Sequence, residues 1–312
     1  MHTDVATTCN VCGSTDLRVM ATLTSERDGR TYDAVRCRRC RLLFAHPIPD
    51  FGFEQLQGVY DDFYMTAQRE SSVDEPWLQA MRDATGRQME LAERFVRPGR
   101  ALNIGATNRA MDVLIPRGWN VTFVEVSEYS ARLAREQWGF DVIVSRFEDY
   151  QAPAGSFDLV KFGCVIEHFV DPVAATRHAA DLLRSGGVIM VDTDNGDGLK
   201  THVELAIRRL LGERLSAFVV KRLTNKNLRK RYGRLTPPEH FYTFSERNLV
   251  RLLDLTGFEI LEVHKPAWGD PTWFPMTNLR RFSAAEQAFF TIDKVGARFG
   301  MGDVIAALAR KR

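Results

Sequence analysis

The sequence predicts a doubly wound, mostly parallel α/β fold with a small cysteine-bearing module at its N-terminus. Three observations carry this. Short apolar runs alternate with helical segments from residue 99 onward, the pattern of a parallel sheet covered on both faces. Four of the five cysteines fall within the first 40 residues, as two C-x-x-C pairs. An acid, Glu125, ends the second apolar run about twenty residues after the small-residue turn at Gly105, the spacing of a nucleotide-binding unit.

The N-terminal module comes first. Cys9 and Cys12 form one pair, Cys37 and Cys40 the other, and 24 residues separate them. Each pair can turn two thiolates onto one ion, and two such knuckles complete the closed tetrahedral geometry of structural zinc. Strand-like runs at Leu17–Leu23 and Thr31–Arg36 flank a turn at Asp28-Gly29, and that hairpin would bring the knuckles together. Residues 1–50 therefore read as a zinc ribbon, whose four protein ligands leave no open position for catalysis.

Residues 51–98 read as a helical linker region, aromatic and acidic over Phe53–Tyr64 and helical over Trp77–Arg97, where Pro98-Gly99 ends it. The core spans 99–198. Strands are expected at Ala101–Gly105, Val121–Val126, Asp141–Val144, Phe157–Phe162 and Val188–Asp192. Helices are expected at Met111–Arg117, Ser130–Trp138 and Ala174–Leu183, the last ended by Ser185-Gly186-Gly187. The core resumes over 236–312, with a helix at Ser245–Thr256 capped by Ser245, a strand at Phe258–His264, a helix at Ala284–Arg298 and a final strand at Asp303–Ala309.

Between the two halves of the core, 199–235 forms a basic helical insertion. Residues 199–234 hold eleven Lys or Arg against two Glu, so this segment is +9 while the rest of the chain is −7, although the total is only +2. The near-neutral total argues against a polyelectrolyte partner for the whole chain. The insertion alone has three readings: a solvated helix pair, a cover that holds an anionic substrate, or contact with an anionic surface. Few aromatics interleave its charges, which argues against single-strand nucleic-acid stacking. The polar start from Met1 to Cys9 has no apolar stretch of a signal peptide, and no window approaches the ~18–20 apolar residues of a membrane span. A cytoplasmic protein with reduced thiols is expected.

Taken in order, the motifs resemble those of class I S-adenosylmethionine-dependent methyltransferases, in particular the bacterial small-molecule group that carries an N-terminal zinc ribbon. The residues that carry the resemblance are Ala101-Leu102-Asn103-Ile104-Gly105, Val124-Glu125, Gly155-Ser156-Phe157-Asp158-Leu159-Val160, Ile166-Glu167-His168-Phe169-Val170-Asp171-Pro172, Leu182-Leu183-Arg184-Ser185-Gly186-Gly187, Pro237-Pro238-Glu239-His240-Phe241-Tyr242-Thr243-Phe244 and Gly300-Met301-Gly302-Asp303-Val304-Ile305. The resemblance implies a Rossmann-like methyltransferase core. It places Asn103, Gly105 and Ala106 under the methionine part of S-adenosylmethionine and Glu125 on the ribose hydroxyls. Phe147 and Glu148 would frame the adenine, and Phe162 and Gly163 would lie close to the sulfur. Three departures stand out: Asn103 replaces an acid, Gly105 is the single glycine of the turn, and Arg146 replaces an acid near the adenine.

Methyl transfer chiefly needs alignment and removal of a proton from the acceptor. Glu167 and His168 follow the fourth core strand, and the two prolines before Glu239 could aim His240 and Tyr242 at the same place. These four are the candidate catalytic residues, with a histidine as base. For His168 and His240 a role holding backbone groups stays open, and Cys164 reads as a core thiol. The expected function is methyl transfer to a small, anionic metabolite such as a sugar nucleotide or natural-product intermediate. The alternative is a degenerate methyltransferase fold serving as a binding module or catalysing another reaction in the same cleft.

Overall fold

The computed structural model describes residues 8–25, 28–49, 51–70, 75–105, 109–203, 205–207, 209–211, 235–273, 275 and 284–312. Two sheets organise them. The first belongs to the ribbon. Its strands β1 (Leu17–Thr24), β2 (Thr31–Cys37) and β3 (Leu43–His46) run antiparallel in that order. A two-residue strand, β9 (Tyr242–Thr243), adds to the open edge of β3 from far along the chain. That pairing satisfies an edge that would otherwise present bare N–H and C=O groups.

Two helices lead into the core, α1 (Phe53–Glu70) and α2 (Glu75–Glu93). The second sheet has seven strands. The parallel ones are β4 (Arg100–Ile104), β5 (Asn120–Glu125), β6 (Asp141–Val144), β7 (Phe157–Gly163) and β8 (Leu183–Asp194). β10 (Phe258–His264) and β11 (Val304–Lys311) complete it, β11 running antiparallel to both β8 and β10. The spatial order is β10-β11-β8-β7-β4-β5-β6. The chain winds outward from β4 through β5 to β6, then returns to the other side of β4 for β7 and β8. The point between β4 and β7 is the topological switch, where doubly wound sheets open a crevice beyond their carboxyl ends.

The apolar runs are strands because both of their faces are covered. Leu102, Val160 and Ile189 are fully buried in one apolar cluster, and Val188, Met190 and Ala306 in another. Each buried aliphatic side chain contributes roughly 1.5–3 kcal/mol relative to exposure. The covering helices are α2, α3 (Glu128–Trp138), α4 (Pro172–Leu182), α5 (Glu246–Leu255) and α6 (Ala284–Arg298). Capping follows the sequence. The Ser127 hydroxyl accepts the Ser130 N–H at the start of α3, and Asp171 accepts from Val173 and Ala174 ahead of Pro172. At α5, the Asn248 carbonyl oxygen accepts the Ser245 N–H at 2.8 Å.

Three expectations shift. The helix expected at Met111–Arg117 is a 3₁₀ turn at Arg109–Leu114, and Pro116 has no N–H with which to continue it. The glycine turn after α4 does not separate helix from strand. The helix stops at Leu182, and β8 begins at Leu183, which already pairs with Phe157. Residues Phe53–Tyr64 belong to an 18-residue helix, α1. Of the basic insertion, residues 212–234 lie outside the described residues, and 199–203 are helical. Lys200 lies 3.3 Å from the buried Asp303 carboxylate and ties that helical start to β11. No described helix is long and apolar enough to cross a membrane.

Candidate functional site

The ribbon knuckles are near copies of one another. Gly13 N–H donates to the Cys9 carbonyl at 2.8 Å, and Arg41 N–H donates to the Cys37 carbonyl at 2.9 Å. Both closing residues take positive φ, +66° at Gly13 and +67° at Arg41. Cys9 Sγ lies 3.6 Å from Cys40 Sγ, and Cys12 Sγ lies 3.5 Å from Cys37 Sγ. Zn–S bonds of ≈ 2.3 Å at tetrahedral angles put sulfurs about 3.8 Å apart. All four sulfurs fall within 4.8 Å of one another, so the donor set fits zinc. The hydrogen bond shared with Cys9 holds the Cys40 thiol down, to about 5.

The main cavity, about 330 Å³, opens beyond the carboxyl ends of β4, β5, β6 and β7. This is the crevice that the winding predicts, and its size suits a small molecule. At the β5 end, Glu125 is 3% exposed. Its Oε1 accepts the Ser127 N–H at 3.0 Å, which holds the carboxylate against the cavity wall. Gly105 closes β4 with φ +64°. A Cβ there would lie 2.7 Å from Val165 Cγ1, so only glycine leaves the backbone open to the cavity. Phe147 and Glu148 follow β6 and line the same end, and Gly163 lines it from β7. Burial pushes the Glu148 carboxyl up.

Two residues expected to bind cofactor sit elsewhere. Asn103 donates from Nδ2 to the Gly105 carbonyl at 2.8 Å and braces the turn from within. Phe162 is fully buried and packs edge-on against Phe147 and Phe169, supporting the wall from behind. Ala106 lies outside the described residues.

At the other end the cavity meets His168 and His240, whose ring centroids are 4.7 Å apart at 76°. His168 is enclosed. Its Nδ1 lies 2.8 Å from the Glu239 carbonyl and 3.1 Å from the Tyr60 hydroxyl. A carbonyl partner places the proton on that nitrogen. Burial, then the neighbouring His240, push the His168 pKa down to about 3. The His240 ring also lines the cavity, and it offers a nitrogen within 4.8 Å of a His168 nitrogen and a Glu167 carboxylate oxygen. Glu167 and Tyr242 do not line the cavity. Glu167 is buried, with a carboxylate oxygen within 4.8 Å of a ring nitrogen of both His168 and His240, and burial and then Asp194 push its carboxyl up to about 8. Tyr242 reaches the ribbon instead, accepting from Asn10 Nδ2 at 2.6 Å and donating to the Val170 carbonyl at 2.9 Å. Cys164 carries φ +52° at the cavity wall, and burial holds its thiol protonated.

The roof of the cavity gave no sequence signal. Phe51, Leu56, Val59 and Tyr60 close it from in and just before α1. The next residue, Asp61, accepts from the Ser127 hydroxyl and from the Tyr129 N–H, anchoring α1 on the first turn of α3. The helical periodicity of Phe53–Tyr64 could have suggested a packed face, but not its target.

No curated protein matches the chain. Solved structures do. A SAM-dependent methyltransferase from Thermotoga maritima superposes with a TM-score of 0.50 at 18% identity, over 82% of this chain and 100% of that one. A candidate sarcosine dimethylglycine methyltransferase from Galdieria sulphuraria gives 0.50 at 14% identity, over 80% and 97%. The 1,6-didemethyltoxoflavin-N1-methyltransferase of Burkholderia thailandensis, solved with S-adenosylhomocysteine, gives 0.49 at 15%, over 93% and 99%. At these identities the likeness is one of fold. A family model described as a methyltransferase domain matches residues 77–263, more than half of the chain. Gly105, Glu125 and the rest of the crevice apart from its roof sit within the matched segment, and the chain belongs to the methyltransferase-domain family as an S-adenosylmethionine-dependent enzyme of class I fold.

Proposed function

We propose that this enzyme methylates a small molecule at the His168–His240 end of the cavity, with His240 as the general base. The observation that carries the reading is the single cavity that joins Gly105 and Glu125 at one end to His240 at the other. S-adenosylmethionine fits the first end. Its ribose diol suits the Glu125 carboxylate, its adenine the slot beside Phe147 and Glu148, and its amino-acid part the open backbone at Gly105. Bound there, it supplies an electrophilic methyl group on a sulfonium.

The chain's own task is alignment and proton removal, and the latter typically contributes 10²–10⁴-fold. His168 is poorly suited to it, with its Nδ1 committed to Glu239 and its pKa held far below neutrality. It serves instead as a positioning residue. It stacks edge-on against His240 and bonds the backbone of the residue before it. The ring left to meet the acceptor is His240, with the Glu167 carboxyl group close by. Zinc in the four-cysteine site has a folding role in this reading. The expectation of an anionic acceptor rested on the basic insertion, most of which lies outside the described residues.

His240→Ala should lower turnover about a hundredfold or more while S-adenosylhomocysteine affinity, measured by calorimetry, stays within about twofold. His168→Ala should cost less, and its loss should not be relieved by raising the pH. Full turnover in His240→Ala would remove the assignment.

A further inference from the structure

The acceptor end of the cavity differs in character from the cofactor end. Its roof is Phe51, Leu56, Val59 and Tyr60; its floor includes Val165, Phe169 and Val170; and Pro238 and Phe241 close the side. Within this apolar box the polar groups are few and converge on one place: Tyr60, His168 and His240, with Glu239 beside them. Among the described residues, the cation on the cavity wall is Arg146, at the cofactor end, 3.5 Å from Asp149 and 4.0 Å from Glu148. The other titratable groups nearby include acids, of which burial pushes Glu148, Glu167 and Asp192 toward their neutral forms. Glu125, Glu167, Glu239 and Glu148 all act on the Tyr60 hydroxyl, and Asp192 and Asp194 act on Cys164 from the end of β8.

We infer that the acceptor is a neutral, largely apolar, ring-sized molecule that presents a single weakly acidic O–H or N–H to His240. The inference rests on the methyltransferase reading of the cavity and specifies its substrate class. An anionic group placed here would lose its hydration against apolar walls and find Arg146 already beside Asp149 and Glu148, and an uncompensated buried charge is among the costliest contacts a site can make. A cationic amine would meet attractive carboxylates, but it too would lose water to Leu56, Val59 and Phe241, and a protonated nitrogen has no lone pair with which to accept a methyl group. A neutral ring loses nothing against those walls, and its one acidic hydrogen can go to the His240 imidazole.

The test uses the full-length protein saturated with S-adenosylhomocysteine and three phenols of similar size: 4-ethylphenol, 4-hydroxyphenylacetate and tyramine. Calorimetry should show 4-ethylphenol binding at least tenfold more tightly than either charged analogue. Leu56→Arg, which places a cation on the roof, should invert the order of the first two. If either charged analogue binds as tightly as 4-ethylphenol, or if none binds at millimolar concentration while S-adenosylhomocysteine does, the inference is overturned. If S-adenosylhomocysteine itself does not bind, the cofactor reading fails instead.

Discussion

Gly105→Ala isolates the demand that the cavity makes on the backbone. Gly105 sits at φ +64°, where an L side chain crowds its own carbonyl at a cost of roughly 1–2 kcal/mol. The added Cβ would also lie 2.7 Å from Val165 Cγ1, about 1 Å inside ordinary contact. Relief can come in two ways. Val165 turns toward the cavity that it lines, or the turn itself moves. Either shifts a bound nucleoside by up to ~1 Å relative to Glu125, enough to weaken a charge-assisted hydrogen bond worth ~1.5–3 kcal/mol. The expected loss in S-adenosylhomocysteine affinity is therefore about ten- to a hundredfold. The strain should also lower the melting temperature by a few degrees, since about 1 kcal/mol shifts a domain of this size class by roughly 2–4 °C. Titration calorimetry and thermal unfolding of the same samples report both numbers. An alanine variant that melts early but binds as well as the parent would refute the idea that the ligand approaches this backbone.

Two further outcomes follow from features outside that turn. Glu167 has a folded-state pKa of about 8, above its ordinary carboxylate value, so it favours the fold at low pH and that contribution fades as pH rises toward 8. Urea unfolding at pH 5 and pH 8.5 should therefore show a smaller loss of stability in Glu167→Gln than in the parent; equal losses would show that the carboxyl ionises freely in the fold. Removing zinc with a chelator, or substituting Cys37→Ser, should raise the apparent KM for the acceptor while S-adenosylhomocysteine affinity stays within about twofold, because β3 holds β9 beside His240. An unchanged KM in metal-free protein would disconnect the ribbon from the site.

The sequence displays the parts of this molecule whose physics is local or periodic. β4, β7 and β8 are legible because strands buried on both faces are largely apolar, and the knuckles because two thiolates three positions apart can share an ion. Gly105 and Glu125 are legible because both lie at strand ends that the winding carries to one crevice. The roof is not. Tyr60 meets His168 across 108 residues of chain, and nothing in the composition of α1 names its partner. Tyr242 shows the converse. Its neighbours His240 and Phe241 line the cavity, but the Tyr242 hydroxyl meets Asn10 and the Val170 carbonyl instead. Asn103 shows local competition of the same kind: an amide two residues before the turn's glycine donates to that glycine's carbonyl at 2.8 Å, a partner that residue type alone does not name.

The four-stranded ribbon sheet has a consequence for modularity. Its last strand, β9, comes from the segment 236–312 that also completes the core, and the Ala45 N–H donates to the Phe241 carbonyl across the seam at 2.8 Å. A cut after residue 50, where the composition suggests a boundary, would leave an orphaned edge beside His240 and strip a neighbour from Tyr242 and Phe44, whose rings pack 6.4 Å apart. The ribbon is therefore a brace on the segment that carries Phe241 and His240 to the cavity, and exchanging it between enzymes would require that seam to be rebuilt with it.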